Sequence, residues 1–135
     1  MIILFSKDML IGILISQAKI DFHIERNESA YMGYSVRLKL KIRAEEPFLL
    51  ALHRSLLQHD IQSKYHAIEH KARPKPILKI GGIKNLYKVC SLVPKGLPDS
   101  KGEWPMFRTL VNLISQGEHR TAKGLDEIFK LKGLI

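Results

Sequence analysis

The chain has 135 residues, 45% of them apolar, and carries 22 Lys and Arg against 13 Asp and Glu, a net charge of +9. That length excludes two ordinary domains, and that apolar content excludes wholesale disorder. A lone cysteine, Cys90, excludes an intrachain disulfide and a zinc knuckle and suits a reducing compartment. The excess charge lies mid-chain: residues 60–101 hold nine Lys and Arg against three Asp and Glu. Clustered positive charge favours a polyanionic partner, because neutralising phosphates releases condensed counterions. The alternative is a basic surface that binds nothing.

Residues 1–135 read as one domain, with no internal repeat, low-complexity tract or linker. Ser6 is placed to cap a helix over Lys7–Gln17, with Asp8 in its first turn. The apolar run Met9–Ile15 is too short to span a bilayer, so no membrane partner is expected. Lys7 before it and Ser16-Gln17-Ala18 after it also fit a weak signal peptide, against which Asp8 counts. The expected compartment is cytoplasm or nucleoid, or an organellar matrix. Leu10, Ile13 and Leu14 on one side and Ile11 and Ile15 on another predict a helix buried on more than one side. Gly12 and Ser16, four apart, would let a second helix backbone approach closely. The alternative is a helix packed only within its own subunit.

Ile20–Glu25 alternates, with Ile20, Phe22 and Ile24 on one face, and Asn27-Glu28-Ser29 supplies a turn. Tyr34–Arg43 alternates again: Val36, Leu38, Leu40 and Ile42 face one way, Arg37, Lys39, Lys41 and Arg43 the other. The two form a hairpin with one apolar face. Ala44-Glu45-Glu46-Pro47 starts a helix with the stripe Leu49, Leu52, Leu56. Ile61–Ile68 and Pro76–Ile80 read as a second hairpin, joined through Glu69–Lys75. Three more helices carry Ile83, Leu86 and Cys90, then Phe107, Leu110, Val111 and Ile114, then Leu125, Ile128 and Phe129. Thr121 is placed to cap the last. The fold class is α+β: αββαββα followed by two helices, a four-stranded antiparallel sheet with helices on one face.

Arg37, Lys39, Lys41 and Arg43 stand on one strand face with no acid among them in the strand. Such a face suits the major groove, where Lys and Arg reach guanine edges or phosphates. The alternative is a solvated face whose lysines deter edge pairing. The second hairpin adds Lys64, His66, Arg73, Lys75 and Lys79 as DNA-contact candidates. RNA fits less well, since an A-form major groove is too narrow for a sheet and this sheet lacks an exposed aromatic pair.

The segment Leu10-Ile11-Gly12-Ile13-Leu14-Ile15-Ser16-Gln17-Ala18-Lys19-Ile20 resembles the signature helix of the LAGLIDADG homing endonucleases. Ser100-Lys101-Gly102-Glu103-Trp104 through Phe107, then Gly117-Glu118-His119-Arg120-Thr121 and Gly124-Leu125, is similar to that family's C-terminal pattern. The resemblance covers nearly the whole chain. It implies a homodimer through Gly12 and Ser16, with Ile13 alongside, because chains with one signature helix pair through it. It also implies a saddle of two sheets on a pseudo-palindromic duplex.

The family ends its signature helix with an acid that binds divalent metal and activates water. Here that position is Gln17, and the earlier acidic position is Ile15. A neutral amide recruits Mg²⁺ poorly. Asp21 is the nearest substitute; it shares strand parity with His23 and Glu25, so it and His23 face the DNA side, away from the two-fold centre. Lys101 matches the family's active-site lysine, which would stabilise developing negative charge; an ordinary loop lysine is the alternative. The remaining histidines have no zinc-like spacing, and Asp60 with His59 reads as turn chemistry.

Three functions follow. The first is a DNA-binding protein that keeps the scaffold and has lost most or all cleavage. The second is an active Mg²⁺-dependent endonuclease using Gln17 with Asp21. The third is an intron RNA maturase.

Overall fold

The computed structural model describes residues 3–99 and 101–133. Helix α1 (Lys7–Gln17) starts where the Ser6 hydroxyl accepts from the Met9 amide at 3.2 Å, and it ends where Ala18 turns extended. It buries Leu10, Ile13 and Leu14. The segment before it is pinned to helix α2 (Glu46–Leu57): the Phe5 amide donates to Ser55 Oγ at 2.7 Å, and the Phe5 and Phe48 rings lie 5.3 Å apart. Ser55 is buried but satisfied, since its hydroxyl also donates to the Ala51 carbonyl.

Strands β1 (Lys19–Arg26) and β2 (Tyr34–Arg43) form the first hairpin, paired from Lys19↔Lys41 to Arg26↔Tyr34. Asn27 Oδ1 accepts from both the amide and the hydroxyl of Ser29, as its turn chemistry predicts. A 3-10 turn at Tyr31–Gly33, with Met32 at φ +59°, completes the loop.

The second hairpin is shorter than the alternation predicts. Strand β3 covers only Lys64–His66, against the expected Ile61–Ile68, and β4 covers Ile77–Gly81. The reason is competition for the backbone. The Ile61 amide closes the end of α2 on the Leu56 carbonyl, and the Gln62 amide donates to Asn85 Oδ1. Beyond His66, the Glu69 amide turns to the Lys75 carbonyl, and a tight His70–Arg73 turn follows. The antiparallel sheet has the order β1-β2-β4-β3.

Helices α3 (Ile83–Leu92), α4 (Trp104–Ser115) and α5 (Ala122–Lys132) complete the fold. Arg108 of α4 donates to the Cys90 and Val93 carbonyls, satisfying acceptors at the end of α3. Thr121 caps α5 by accepting from the Gly124 amide at 3.0 Å. Gly124 cannot carry a side chain, because a Cβ there would sit 2.0 Å from the Glu118 carbonyl oxygen. All five helices and the inward side chains Phe22, Leu38, Leu40, Ile42, Leu78 and Ile80 share one hydrophobic cluster. The sheet therefore buries one face and offers the other. No helix among the described residues is long and apolar enough to cross a membrane.

Candidate nucleic-acid interface

Strand register, not sequence proximity, assembles the offered face. Lys19, Lys41, Lys79 and Lys64 stand opposite one another across all four strands. With neighbouring strands about 4.8 Å apart, this row is roughly 14 Å long. The B-DNA major groove is about 12 Å wide, so the row matches its width. Like charges directly opposite one another disfavour a sheet pair, a cost that Asp21 reduces at Lys41 and that remains at the Lys64–Lys79 pair. Lys19 is absent from the candidates drawn from the sequence. Its signal was available, since it shares the parity of Asp21 and His23 on the same strand.

The next rows place Asp21 opposite Lys39 and Gly81, and His23 opposite Arg37. On the other side, Arg43 lies opposite Ile77, which in turn pairs with His66. The face thus brings together His23, Arg37, Lys39, Lys41, Arg43, Lys64, His66 and Lys79. Arg73 and Lys75 lie outside the strands, in the β3–β4 loop.

The face is not free of acid, as strand β2 alone suggested. Asp21 Oδ2 lies 2.7 Å from Lys41 Nζ, and Asp21 Oδ1 lies 2.6 Å from His23 Nε2. Burial works to raise the Asp21 pKa, but the hydrogen bond and charge of Lys41, joined by His23, outweigh it and hold the carboxyl below its ordinary value. Arg43 donates from Nε and Nη2 to the two oxygens of Glu69, each at 2.7 Å. Arg73 Nε closes on the same carboxylate at 3.2 Å. The Glu69 side chain is only 7% exposed. Its pKa falls to about 2, chiefly through the Arg43 hydrogen bond, with burial opposing and the charges of Arg43, His70 and Arg73 assisting. Arg43 therefore clasps the β3–β4 loop to β2 through Glu69, and Arg73 pairs with the same carboxylate from within that loop, so neither cation stands free. Arg37 pairs loosely with Glu25 at 3.4 Å, both well exposed. Among the described residues, Lys39 alone of the four β2 cations makes no ion pair.

The three candidate catalytic residues lie on three different segments: Gln17 ends α1, Asp21 is on β1 and Lys101 is in the loop before α4. Gln17 is exposed at the last helical position. Lys101 is exposed in the loop before α4, and the neighbouring Ser100 lies outside the described residues. Asp21 is committed to Lys41 and His23, and no ion pair joins it to Lys101 among the described residues. No group of three His, Cys, Asp or Glu able to hold a metal occurs among the described residues. The donor set does not fit a Mg²⁺ site: the helix end offers a neutral amide, and Asp21, the substitute acid read from the sequence, is already paired with the Lys41 ammonium group.

The outer side of α1 is open. Gly12 and Ser16 are exposed, and a Cβ built on Gly12 would meet nothing within 4 Å. Ser16 Oγ donates back to the Gly12 carbonyl at 2.6 Å, which keeps that side flat. Ile13 does not join this face. It is 8% exposed, within the core of its own chain, and Met9 at 53% is the apolar residue left outside.

Asp60 takes the turn role expected of it, at φ +59° with Lys88 Nζ 2.7 Å from its carboxylate. His119 lies in the 3-10 turn Glu118–Arg120, and burial, assisted by the charge of Arg120, lowers its pKa.

No family profile and no curated protein sequence matches the chain. Solved structures do. The homing endonuclease I-TnaI superposes with a TM-score of 0.80 at 22% identity, over 96% of this chain and 86% of that one. An archaeal intron-encoded homing endonuclease complexed with DNA superposes at 0.78 and 19% identity, over 93% of this chain and 78% of that one. The LAGLIDADG homing endonuclease I-LtrWI bound to target DNA superposes at 0.79 and 17% identity. That match covers 97% of this chain and 44% of I-LtrWI, so the chain spans less than half of that protein. The αββαββα core with two further helices is thus the LAGLIDADG homing-endonuclease fold.

Proposed function

We propose that this protein binds double-stranded DNA as a homodimer and has lost metal-dependent cleavage. The observation that carries the reading is the sheet face. Its apolar side is committed to the core, while its other side presents the four-lysine row with Arg37 and Lys39 beyond it. Two such faces related by a two-fold axis would follow the major groove over a pseudo-palindromic site. The open Gly12–Ser16 side of α1 supports pairing of two copies, since small residues there admit a second helix at close range.

Loss of cleavage rests on the donor set. Two-metal or one-metal hydrolysis needs carboxylates where the attacking water is held. Gln17 supplies none, and Asp21 holds Lys41. What remains is a scaffold that positions a duplex and leaves it intact.

The test is selection of bound duplexes from a random pool, followed by incubation of the selected site with the protein in Mg²⁺ or Mn²⁺. The expected result is a retained, uncut duplex and a sedimenting species of two chains. Metal-dependent nicking that disappears in Asp21→Asn would instead establish an active endonuclease.

A further inference from the structure

Strand β3 begins at Lys64, opposite Lys79, so Ile80 and Gly81 of β4 have no β3 partner. The gap opens into a cleft of about 740 Å³ on the edge of the offered sheet face. Its cations are Lys39, Lys64 and Lys79, with the imidazoles of His53 and His66 beside them. Among the described residues, no Asp or Glu lines it. On β2, by contrast, Arg37, Lys41 and Arg43 each meet a carboxylate.

We propose that this cleft is a binding site for a phosphate oxyanion, either a backbone phosphodiester or a free phosphate. The proposal rests on the duplex-binding reading for the source of the phosphate, not for the site itself. Three ammonium groups without a counter-charge repel one another, and Lys64 stands directly opposite Lys79. An anion held between them removes that repulsion and gains charge-assisted hydrogen bonds. His53 is prepared for the same role. Its Nδ1 lies 2.7 Å from Ser63 Oγ, and the tautomer in which Ser63 donates leaves an Nε2–H donor. Gly81 and Gly82 keep one wall low: a Cβ on Gly81 would touch the Lys39 stem at 3.6 Å.

The experiment is titration of the full chain with inorganic phosphate, followed by amide and histidine ring resonances. The expected result is saturable shifts confined to Gly81, Gly82, Asn85 and the His53 and His66 rings. Lys64→Gln and His53→Gln, each checked for an unchanged melting curve, should raise the dissociation constant at least threefold. Linear, unsaturable shifts spread along the whole sheet, or equal affinity in both variants, would overturn the site. A second titration adds a short duplex to the phosphate-loaded protein. Displacement of phosphate identifies the DNA backbone as the source. Duplex binding without displacement, or no duplex binding at all, identifies free phosphate and leaves the site standing. The site and the duplex reading can thus fail separately.

Discussion

Asp21 Oδ2 stands 2.7 Å from Lys41 Nζ, on adjacent strands of the offered sheet face. The carboxylate that the sequence offers as a substitute catalytic acid is therefore the counter-ion of a central cation in the lysine row. Its removal has a defined consequence. Asp21→Asn deletes one negative charge from the face and frees Lys41 for phosphate. Non-specific duplex affinity should rise, roughly three- to tenfold at low salt, and the salt slope should steepen by up to about 0.9, the value for one added phosphate contact. Filter binding or fluorescence anisotropy across a salt series checks it. Weaker duplex binding in the variant would mean that Asp21 contacts the DNA directly or holds a metal.

The Glu69 clasp predicts a pH dependence of stability. Its folded pKa, about 2, lies below the ordinary glutamate value, so the stabilisation is fully present above that ordinary value. It is lost as pH falls toward about 2, when the carboxylate accepts a proton that the unfolded chain accepts earlier. Melting temperatures measured through the acid range should fall less steeply with decreasing pH in Glu69→Gln than in the unmutated protein. Parallel curves would show that Arg43 and Arg73 gain nothing from the carboxylate.

Gly124 is required by volume. A Cβ would lie 2.0 Å from a backbone oxygen, which no side-chain rotation relieves. Gly124→Ala should destabilise the protein by about 3 kcal/mol, at the upper end of ordinary overpacking. Thr121→Ala, which removes only the cap, should cost about 1 kcal/mol. Urea unfolding of both variants tests the ranking.

Gly12 makes the opposite prediction. Nothing lies within 4 Å of a Cβ there, so Gly12→Leu should leave the fold of the single chain intact. It should nonetheless abolish pairing of two chains through α1. Sedimentation velocity with circular dichroism separates the two effects. A dimer that survives the substitution would place the interface elsewhere.

The elements were legible where periodicity is strong. The bounds of α1 and β2 follow from the Ser6 cap and from ten residues of strict alternation. The alternation predicts too long a β3 because Ile61–Ile68 has apolar residues at both ends, while Ile61 serves the end of α2 and Gln62 is taken by Asn85. At the site, the cations were legible and their partners were not. Asp21 meets Lys41 only through the β1–β2 register, and Glu69 meets Arg43 across 26 positions of sequence. The row from Lys19 to Lys64 needs all four strands in register, which no single strand displays. Ile13, which the family resemblance sets beside the pairing residues, is buried in its own chain with Leu10 and Leu14, the side its spacing indicates.

The central claim is that the charged sheet face holds duplex DNA. The most direct measurement is the salt dependence of duplex affinity for the unmutated chain and for Lys39→Ala. Lys39 is exposed and makes no ion pair among the described residues, so its loss should leave the fold unchanged. The account predicts weaker binding and a slope of log affinity against log salt reduced by about 0.9, one phosphate contact. An unchanged affinity and slope would contradict it.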